Sequence, residues 1–374
     1  MNPLHHLPKT LRIISSLLFL SLLGGCGTTN PHYDPNKPHH RPNGFVNSNA
    51  ELEIGRVPWY EILHRRWRGD FKPKSPPEGG YAAFSDRWVV PLTAAQLQSQ
   101  APFPRLIWLG HASLLLQVDG RNILIDPNLS DFAGPTAWLS AKRVVPAPLT
   151  VDALPPIHLV LISHNHYDHL DENTLKGLWH RGDRPQFIVP LGLKRWFDAK
   201  GIAGVKEIDW WERIDLPGLA IHLTPAQHWS KRTLFDANAT LWGGFFLDFA
   251  VDRKNWKFLY TGDTGYSDDF KEIHRRLGAV DLLAVPIGAY EPRDFMRRQH
   301  NNPDEAIQIM LDTQARYALG VHWGSFELSN ESLDQPPKDI QNALSARNIP
   351  ASRFWLPKQG EILTPPVDPP IRTE

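Results

Sequence analysis

One cysteine, three methionines and no surplus of either charge: scarcity sets the first limits on this chain. With Cys26 alone, no intrachain disulfide can form. No thiolate is left for a metal site in the body of the chain. Forty basic side chains balance forty acidic ones, giving a formal net charge of zero. That argues against a general nucleic-acid binder, which presents a strongly basic face. The apolar run Ile13 to Leu23 is too short to span a bilayer comfortably, so it reads as a cleaved signal rather than a permanent helix. No short-period repeat is visible.

What is present points to one large domain with extensions. A chain of 374 residues can bury the core of a domain of about 270–300 residues. Fourteen tryptophans suit both a core and an interface with lipid, and 34 prolines imply many irregular connections. Lys9 and Arg12 precede the apolar run, and Leu23-Gly24-Gly25-Cys26 then resembles a bacterial lipobox. The resemblance implies cleavage before Cys26 and lipidation of its thiol, against the alternative of a plain signal peptide with an incidental cysteine. Gly27 in place of Asp favours outer-membrane sorting, facing the periplasm. Residues 26–57, rich in Asn, Pro, His and Gly, are expected as a flexible tether, with His32, His39 and His40 solvated. An N-terminal extension over 58–103 opens with a helix from Pro58 to Arg68. Its Trp59, Ile62, Leu63 and Trp67 fall on one face beside Arg65, Arg66 and Arg68. Such a face packs on its own domain more often than it lies on a membrane. The main domain is expected over 104–364, with a tail at 365–374.

The most informative stretch is Ser163-His164-Asn165-His166-Tyr167-Asp168-His169. It follows Leu159-Val160-Leu161-Ile162, an apolar and partly β-branched run that reads as a buried strand. His164 and His166 can reach one metal, and Asp168 and His169 can face a second, because imidazole nitrogen and carboxylate oxygen suit zinc and similar ions. Other strands are expected at 106–109, 113–118, 122–126, 186–189, 220–224, 244–249, 257–260, 282–286 and 317–321. Three of these lead directly into His228, Asp263 and His322. Helices are expected at Glu172–Trp179 and Leu191–Ala199. Another begins at Asn302-Pro303-Asp304-Glu305, with Asn302 as N-cap. His300 stands just before that cap. His111 is read either as a support behind the metal loop or as a structural histidine. His158, His180, His222 and His274 lack any motif context.

The HxHxDH cluster resembles the signature of the metallo-β-lactamase superfamily. That implies an α/β fold, a four-layer αββα sandwich with metals at one edge. Gln227-His228-Trp229-Ser230-Lys231-Arg232-Thr233, Leu241-Trp242-Gly243, Thr261-Gly262-Asp263-Thr264-Gly265-Tyr266, Tyr290-Glu291-Pro292-Arg293, Gln299-His300 and His322-Trp323-Gly324 narrow the resemblance. Over about Pro104 to Pro357 it points to the N-acylphosphatidylethanolamine-hydrolysing phospholipase D family. The resemblance implies two divalent metals, most simply zinc. His164, His166 and His228 would hold one, Asp168, His169 and His322 the other, and Asp263 would bridge both. It also places His300 at the active site, where an imidazole can assist a departing alkoxide. Trp138, Trp229 and Tyr290 are candidates for substrate contact. One departure stands out: where that family carries a Gln-Tyr pair, this chain reads Ala137-Trp138.

Two divalent ions bring four positive charges, of which Asp168, Asp263 and a shared hydroxide remove three. The remainder suits an anionic phosphodiester better than a neutral amide, and a metal pair about 3.5–4 Å apart clamps phosphoryl oxygens. The expectation is a lipid-anchored phosphodiesterase acting on phospholipid, with homodimerisation left open. A hydrolase of a soluble phosphorylated lactone or cyclic nucleotide, and a non-catalytic envelope scaffold, are the competing readings.

Overall fold

The computed structural model describes residues 29–49, 58–98, 104–138, 140–251 and 254–367. The expected signal segment, Cys26 and the last residues of the tail lie outside them. Six strands open the main domain: β1 (Arg105–Gly110), β2 (Ser113–Val118), β3 (Arg121–Ile125), β4 (Leu159–Leu161), β5 (Gln186–Pro190) and β6 (Val205–Ile208). Seven more follow: β7 (Arg213–Leu216), β8 (Leu219–Thr224), β9 (Gly244–Val251), β10 (Lys254–Tyr260), β11 (Leu282–Pro286), β12 (Tyr317–Val321) and β13 (Phe354–Trp355). The last strand, β14 (Ile362–Leu363), returns to pair antiparallel with β1.

The strands form two seven-stranded sheets, β6-β5-β4-β3-β2-β1-β14 and β7-β8-β9-β10-β11-β12-β13. Each has an antiparallel half and a parallel half: β3, β4, β5 and β6 run parallel in the first, and β10 to β13 in the second. Parallel strands need crossovers, which place helices on the outer faces. Helices α1 (Trp59–Arg68) and α2 (Gly80–Trp88) precede the sheets. Helices α3 (Glu172–Arg181), α4 (Lys194–Ala199), α5 (Asp269–Leu277), α6 (Pro303–Asp312) and α7 (Gln335–Ala346) supply the outer layers.

Burial explains the unbroken apolar runs of the first sheet. Leu106, Trp108, Leu114, Leu116, Ile123, Ile125, Leu159 and Leu161 point into the core shared with the second sheet. Their alternates Ile107, Leu109, Leu115, Leu124, Val160 and Ile162 join Leu175, Leu178 and Phe197 of α3 and α4. Both faces are therefore dry, and period-two patterning disappears from the sequence. On the far side, Phe270 and Ile273 of α5, Ile307 and Met310 of α6, and Ile340 and Leu344 of α7 complete the fourth layer. The capping box expected at the start of α6 is present: Asn302 accepts from the Glu305 amide while the Glu305 side chain accepts from the Asn302 amide.

Two parts of the sequence reading require correction. Within the expected tether, residues 29–49 are docked rather than free. His39 and His40 are buried, and their Nε2 atoms lie 2.7 and 2.9 Å from the two carboxylate oxygens of Asp209. Lys37 donates to the same carboxylate at 2.5 Å and to Glu212 at 3.0 Å. His39 stacks on Trp210, Phe45 is buried, and its amide donates to the Asn238 carbonyl. Segment composition hid this, because the docking runs through polar side chains with no periodicity. The second correction is α1. Arg65 faces the body, pairing with Asp70 and Asp294 and lying over the Phe295 ring, and Ile62 is half-buried. Leu63 and Trp67 are left exposed.

Candidate metal centre

Each candidate ligand stands where a strand ends at one rim of the sandwich. His164, His166, Asp168 and His169 follow β4, His228 follows β8, Asp263 follows β10 and His322 follows β12. The loop after β4 is closed by a well-capped helix: the Asp171 carboxylate accepts from the amides of Asn173 and Thr174 at the start of α3. Gly262 turns the chain with φ +64°, and a Cβ there would meet the Gly243 carbonyl oxygen at 2.6 Å. Only glycine fits, and the turn delivers Asp263 inward. His111, Asp126 and His322 also adopt left-handed backbone, at φ 50°, 42° and 61°. Such conformations cost energy in non-glycine residues and cluster at sites that require one geometry.

The side chains converge in two groups. In the first, His164 Nε2 lies 2.9 Å and His228 Nε2 3.2 Å from His166 Nδ1. Ligand nitrogens around a tetrahedral zinc are separated by about 3.3 Å when each bond is near 2.05 Å. In the second, Asp168 Oδ2 lies 3.5 Å from His169 Nε2 and 3.4 Å from His322 Nε2. Asp263 Oδ2 links them. It is 3.0 Å from His169 Nε2, 3.1 Å from His322 Nε2, and 3.9 Å from both His164 Nε2 and His228 Nε2.

Atoms behind the ligands decide which lone pairs are presented. The Asp126 carboxylate, fully buried, accepts from His169 Nδ1 at 2.7 Å and from the Tyr260 hydroxyl at 2.6 Å. It also accepts from both the amide and the hydroxyl of Ser163. His228 Nδ1 donates to the Gln299 carbonyl at 2.9 Å, which leaves its Nε2 bare. The His228 amide donates to Asn47 Oδ1 at 3.0 Å. His111 Nε2 sits 2.9 Å from the same Asp168 Oδ2 that faces His169 and His322, so His111 stands within this second group.

The residues fit a pair of cations. Asp263 Oδ1 is buried without any hydrogen-bond partner, and the Nε2 atoms of His169 and His322 face only the Asp168 and Asp263 carboxylate oxygens. Orphaned buried polar atoms of this kind are costly unless something else binds them. Protonation favours the same answer. Burial, and the neighbouring His228, push His166 down to about 3, and burial takes His228 to about 4. Burial opposes ionisation of Asp168 and Asp263, but the surrounding imidazoles outweigh it and hold both carboxyls well below their usual range. Burial also opposes the charged form of His322, and the Asp263 and Asp168 carboxylates reverse that, raising it to about 9. His166 and His228 are thus neutral beside ionised carboxylates, the donor states a metal needs, whereas His322 would exchange its proton for the cation. The His322 shift measures the negative field a cation would replace.

The centre lies at the floor of a cleft of about 860 Å³. His300 lines this cleft, its ring centroid 5.3 Å from that of His228 and 5.2 Å from that of His322, with Nδ1 unpartnered. Burial holds its pKa well below normal, so the imidazole is neutral. Trp229 also lines the cleft, edge-on to His166 at 4.8 Å. The other two candidates for substrate contact do not. Tyr290 is buried and its hydroxyl donates to Asp339 on α7, turned away from the cleft. Trp138 is 81% exposed and stands outside the cleft wall. Sequence reasoning gave no role to Asp126, Tyr260, Gln299 or Asn47. For Asp126 a signal existed: an acid ending a buried apolar strand must be paired. The other three offered none.

Residues 121–323 match the Beta-lactamase superfamily domain. The chain is 37% identical over 267 residues to N-acyl-phosphatidylethanolamine-hydrolyzing phospholipase D 1 of Caenorhabditis elegans, covering 68% of this chain and 74% of that protein. It is 38% identical over 240 residues to the mitochondrial N-acyl-phosphatidylethanolamine-hydrolyzing phospholipase D of Saccharomyces cerevisiae, covering 63% of this chain but only 50% of that one. The structure of a possible metal-dependent hydrolase from Veillonella parvula superposes with a TM-score of 0.58 at 19% identity, over 70% of this chain and 99% of the other. That likeness concerns the fold.

Proposed function

Because this chain belongs to the metallo-β-lactamase superfamily as a metal-dependent hydrolase, we propose that it hydrolyses a phosphodiester bond of a phospholipid of the N-acylphosphatidylethanolamine type, with two divalent ions, most simply zinc. The observation that carries the reading is the position of Asp263 Oδ2 between the two ligand groups. His164, His166 and His228 would hold one ion, and Asp168, His169 and His322 the other, with Asp263 shared. Metal held by these residues would supply an activated water and electrostatic stabilisation of phosphoryl oxygens. The two carboxylates leave a net positive site, which attracts a phosphodiester monoanion and gives no such advantage to a neutral amide.

The chain's own groups complete the chemistry. Asp126 fixes the tautomer of His169, and the Gln299 carbonyl fixes that of His228. His300 lines the cleft beside the centre, where the N–H of its neutral imidazole can hydrogen-bond the departing oxygen. Ala133, Pro135, Ala289, Met296 and Leu328 give the cleft an apolar wall against which acyl chains can lie. In this reading Cys26 carries the acyl anchor of a bacterial envelope protein, so enzyme and substrate share a membrane.

The test joins metal analysis to a hydrolysis screen read by product mass. Purified protein should hold about two metals per chain and release phosphatidic acid, here its N-free diacyl form, together with an N-acylethanolamine. Turnover of only a soluble phosphodiester would refute the lipid assignment, and absence of metal would refute the centre.

A further inference from the structure

Among the described residues, four large apolar side chains are more than four-fifths exposed: Trp67 at 83%, Trp138 at 81%, Leu234 at 81% and Phe235 at 86%. Three of them lie on two segments that line the same cleft. Trp138 projects from the loop that begins at Ala133 and Pro135, both of which line the cleft, and Leu234 lines it directly with Phe235 beside it. We propose that this rim is a docking surface for an anionic phospholipid bilayer, with Trp138, Leu234 and Phe235 entering its interfacial region around the cleft mouth. The proposal rests on the phospholipid reading above and names the partner of the same site.

Charge and chain length favour a bilayer as the occupant. Lys231 lines the cleft, and Arg297 and Arg298 are exposed between Met296 and Gln299, which also line it. Among the described residues none of these three cations is held in an ion pair. Exposed apolar tips and unpaired cations, both borne by segments that line the cleft, match the layering of an anionic membrane surface, acyl chains below and phosphates above. The rim is continuous with the apolar cleft wall, so a lipid can pass from the bilayer to the centre without crossing water. The N-terminal segment sets a distance limit. Asn30 is pinned through its amide to the Pro42 carbonyl and through its side chain to the Gly44 carbonyl. Four residue steps separate it from Cys26, at most about 14 Å of extended chain. An acyl group on Cys26 would hold the domain against the bilayer rather than let it range.

The test uses the full chain loaded with zinc and vesicles of equal parts phosphatidylcholine and phosphatidylglycerol carrying the lipid substrate. In the Trp138→Ser/Phe235→Ser variant, hydrolysis of vesicle lipid should fall about tenfold or more, while hydrolysis of soluble bis(4-nitrophenyl) phosphate stays unchanged. Equal losses on both substrates, or none on vesicles, would overturn the proposal. A second measurement needs no turnover. An environment-sensitive dye on Phe235→Cys, in a Cys26→Ser chain, should shift to the blue when vesicles are added. Protein that pellets with vesicles while the dye does not respond is held by another surface, and the proposal fails. A dye that responds only to increasing protein concentration would assign the rim to a second copy and likewise overturn it. If the wild-type chain hydrolyses neither substrate, the hydrolytic reading fails, and the dye still decides docking.

Discussion

Asp126 and His169 meet at 2.7 Å in a part of the molecule that no water reaches. The carboxylate fixes which imidazole nitrogen carries the proton and so which one faces Asp263. Burial opposes the imidazolium, yet Asp263, Asp168 and Asp126 together push the His169 pKa well above its ordinary value. In Asp126→Ala, zinc affinity measured by chelator competition should weaken by about 10–100-fold. Unchanged affinity would mean that the loop holds His169 without Asp126.

Among the described residues, Asp263 is the carboxylate that lies within 3.9 Å of imidazoles in both ligand groups. Asp263→Ala should bring turnover to background and reduce the bound metal below the wild-type content of about two. Intact turnover in that variant would remove the basis for a shared centre.

His300 should act on the leaving group rather than on metal retention. His300→Gln is expected to lower kcat on phospholipid by about 10²–10⁴-fold with metal content unchanged. The loss should shrink for a 4-nitrophenolate leaving group, which departs without a proton. An equal loss for both leaving groups would point to a positioning role instead.

The cluster that docks the N-terminal segment predicts a pH response of definite sign. Burial lowers the His40 pKa from 6.5 even though Asp209 opposes the shift, so folding must keep this ring neutral. Its contribution is present above the ordinary value and is lost as pH falls below it. Burial raises the Asp209 carboxyl, but His39 and Lys37 overcome this and hold it well below 3.8. That contribution is present above 3.8 and is lost only under stronger acid. Hydrogen exchange over residues 29–49 should therefore rise once pH drops below about 6.5 and rise further below 3.8. Asp209→Asn should expose the segment already at neutral pH, because removing one partner from a buried charged cluster costs about 3–5 kcal/mol. Equal protection at pH 5 and pH 7.5 would contradict this.

The sequence spoke clearly where chemistry is local. His164, His166, Asp168 and His169 share one loop, and His228, Asp263 and His322 each follow an apolar strand, so strand ends and donor types marked the candidates and the family resemblance named the set that the structure brings together. It spoke poorly where position depends on distant contacts. Tyr290 sits in a quoted motif, yet its hydroxyl is claimed by Asp339, 49 residues on. The α1 face was read from periodicity, but a cationic anchor, Arg65 on Asp294, decides which side is covered. Helices α2 and α7 begin at glycine and at a Gln-Pro-Pro run, and neither was anticipated from the sequence. The edge strands β6 and β7 are short and mostly polar outward, so they carry little pattern.

The contact between Asn47 and His228 spans 181 residues. Lys37 and Asp209 are 172 apart. Whatever machinery delivers this polypeptide, its opening stretch emerges long before the landing site at Asp209, Asn238 and His228 has been synthesised. That stretch must wait while the second sheet assembles, since closing so long a loop is slow. Seating residues 29–49 is then a late step of maturation. A segment made early thus comes to hold the backbone of His228, which is made much later.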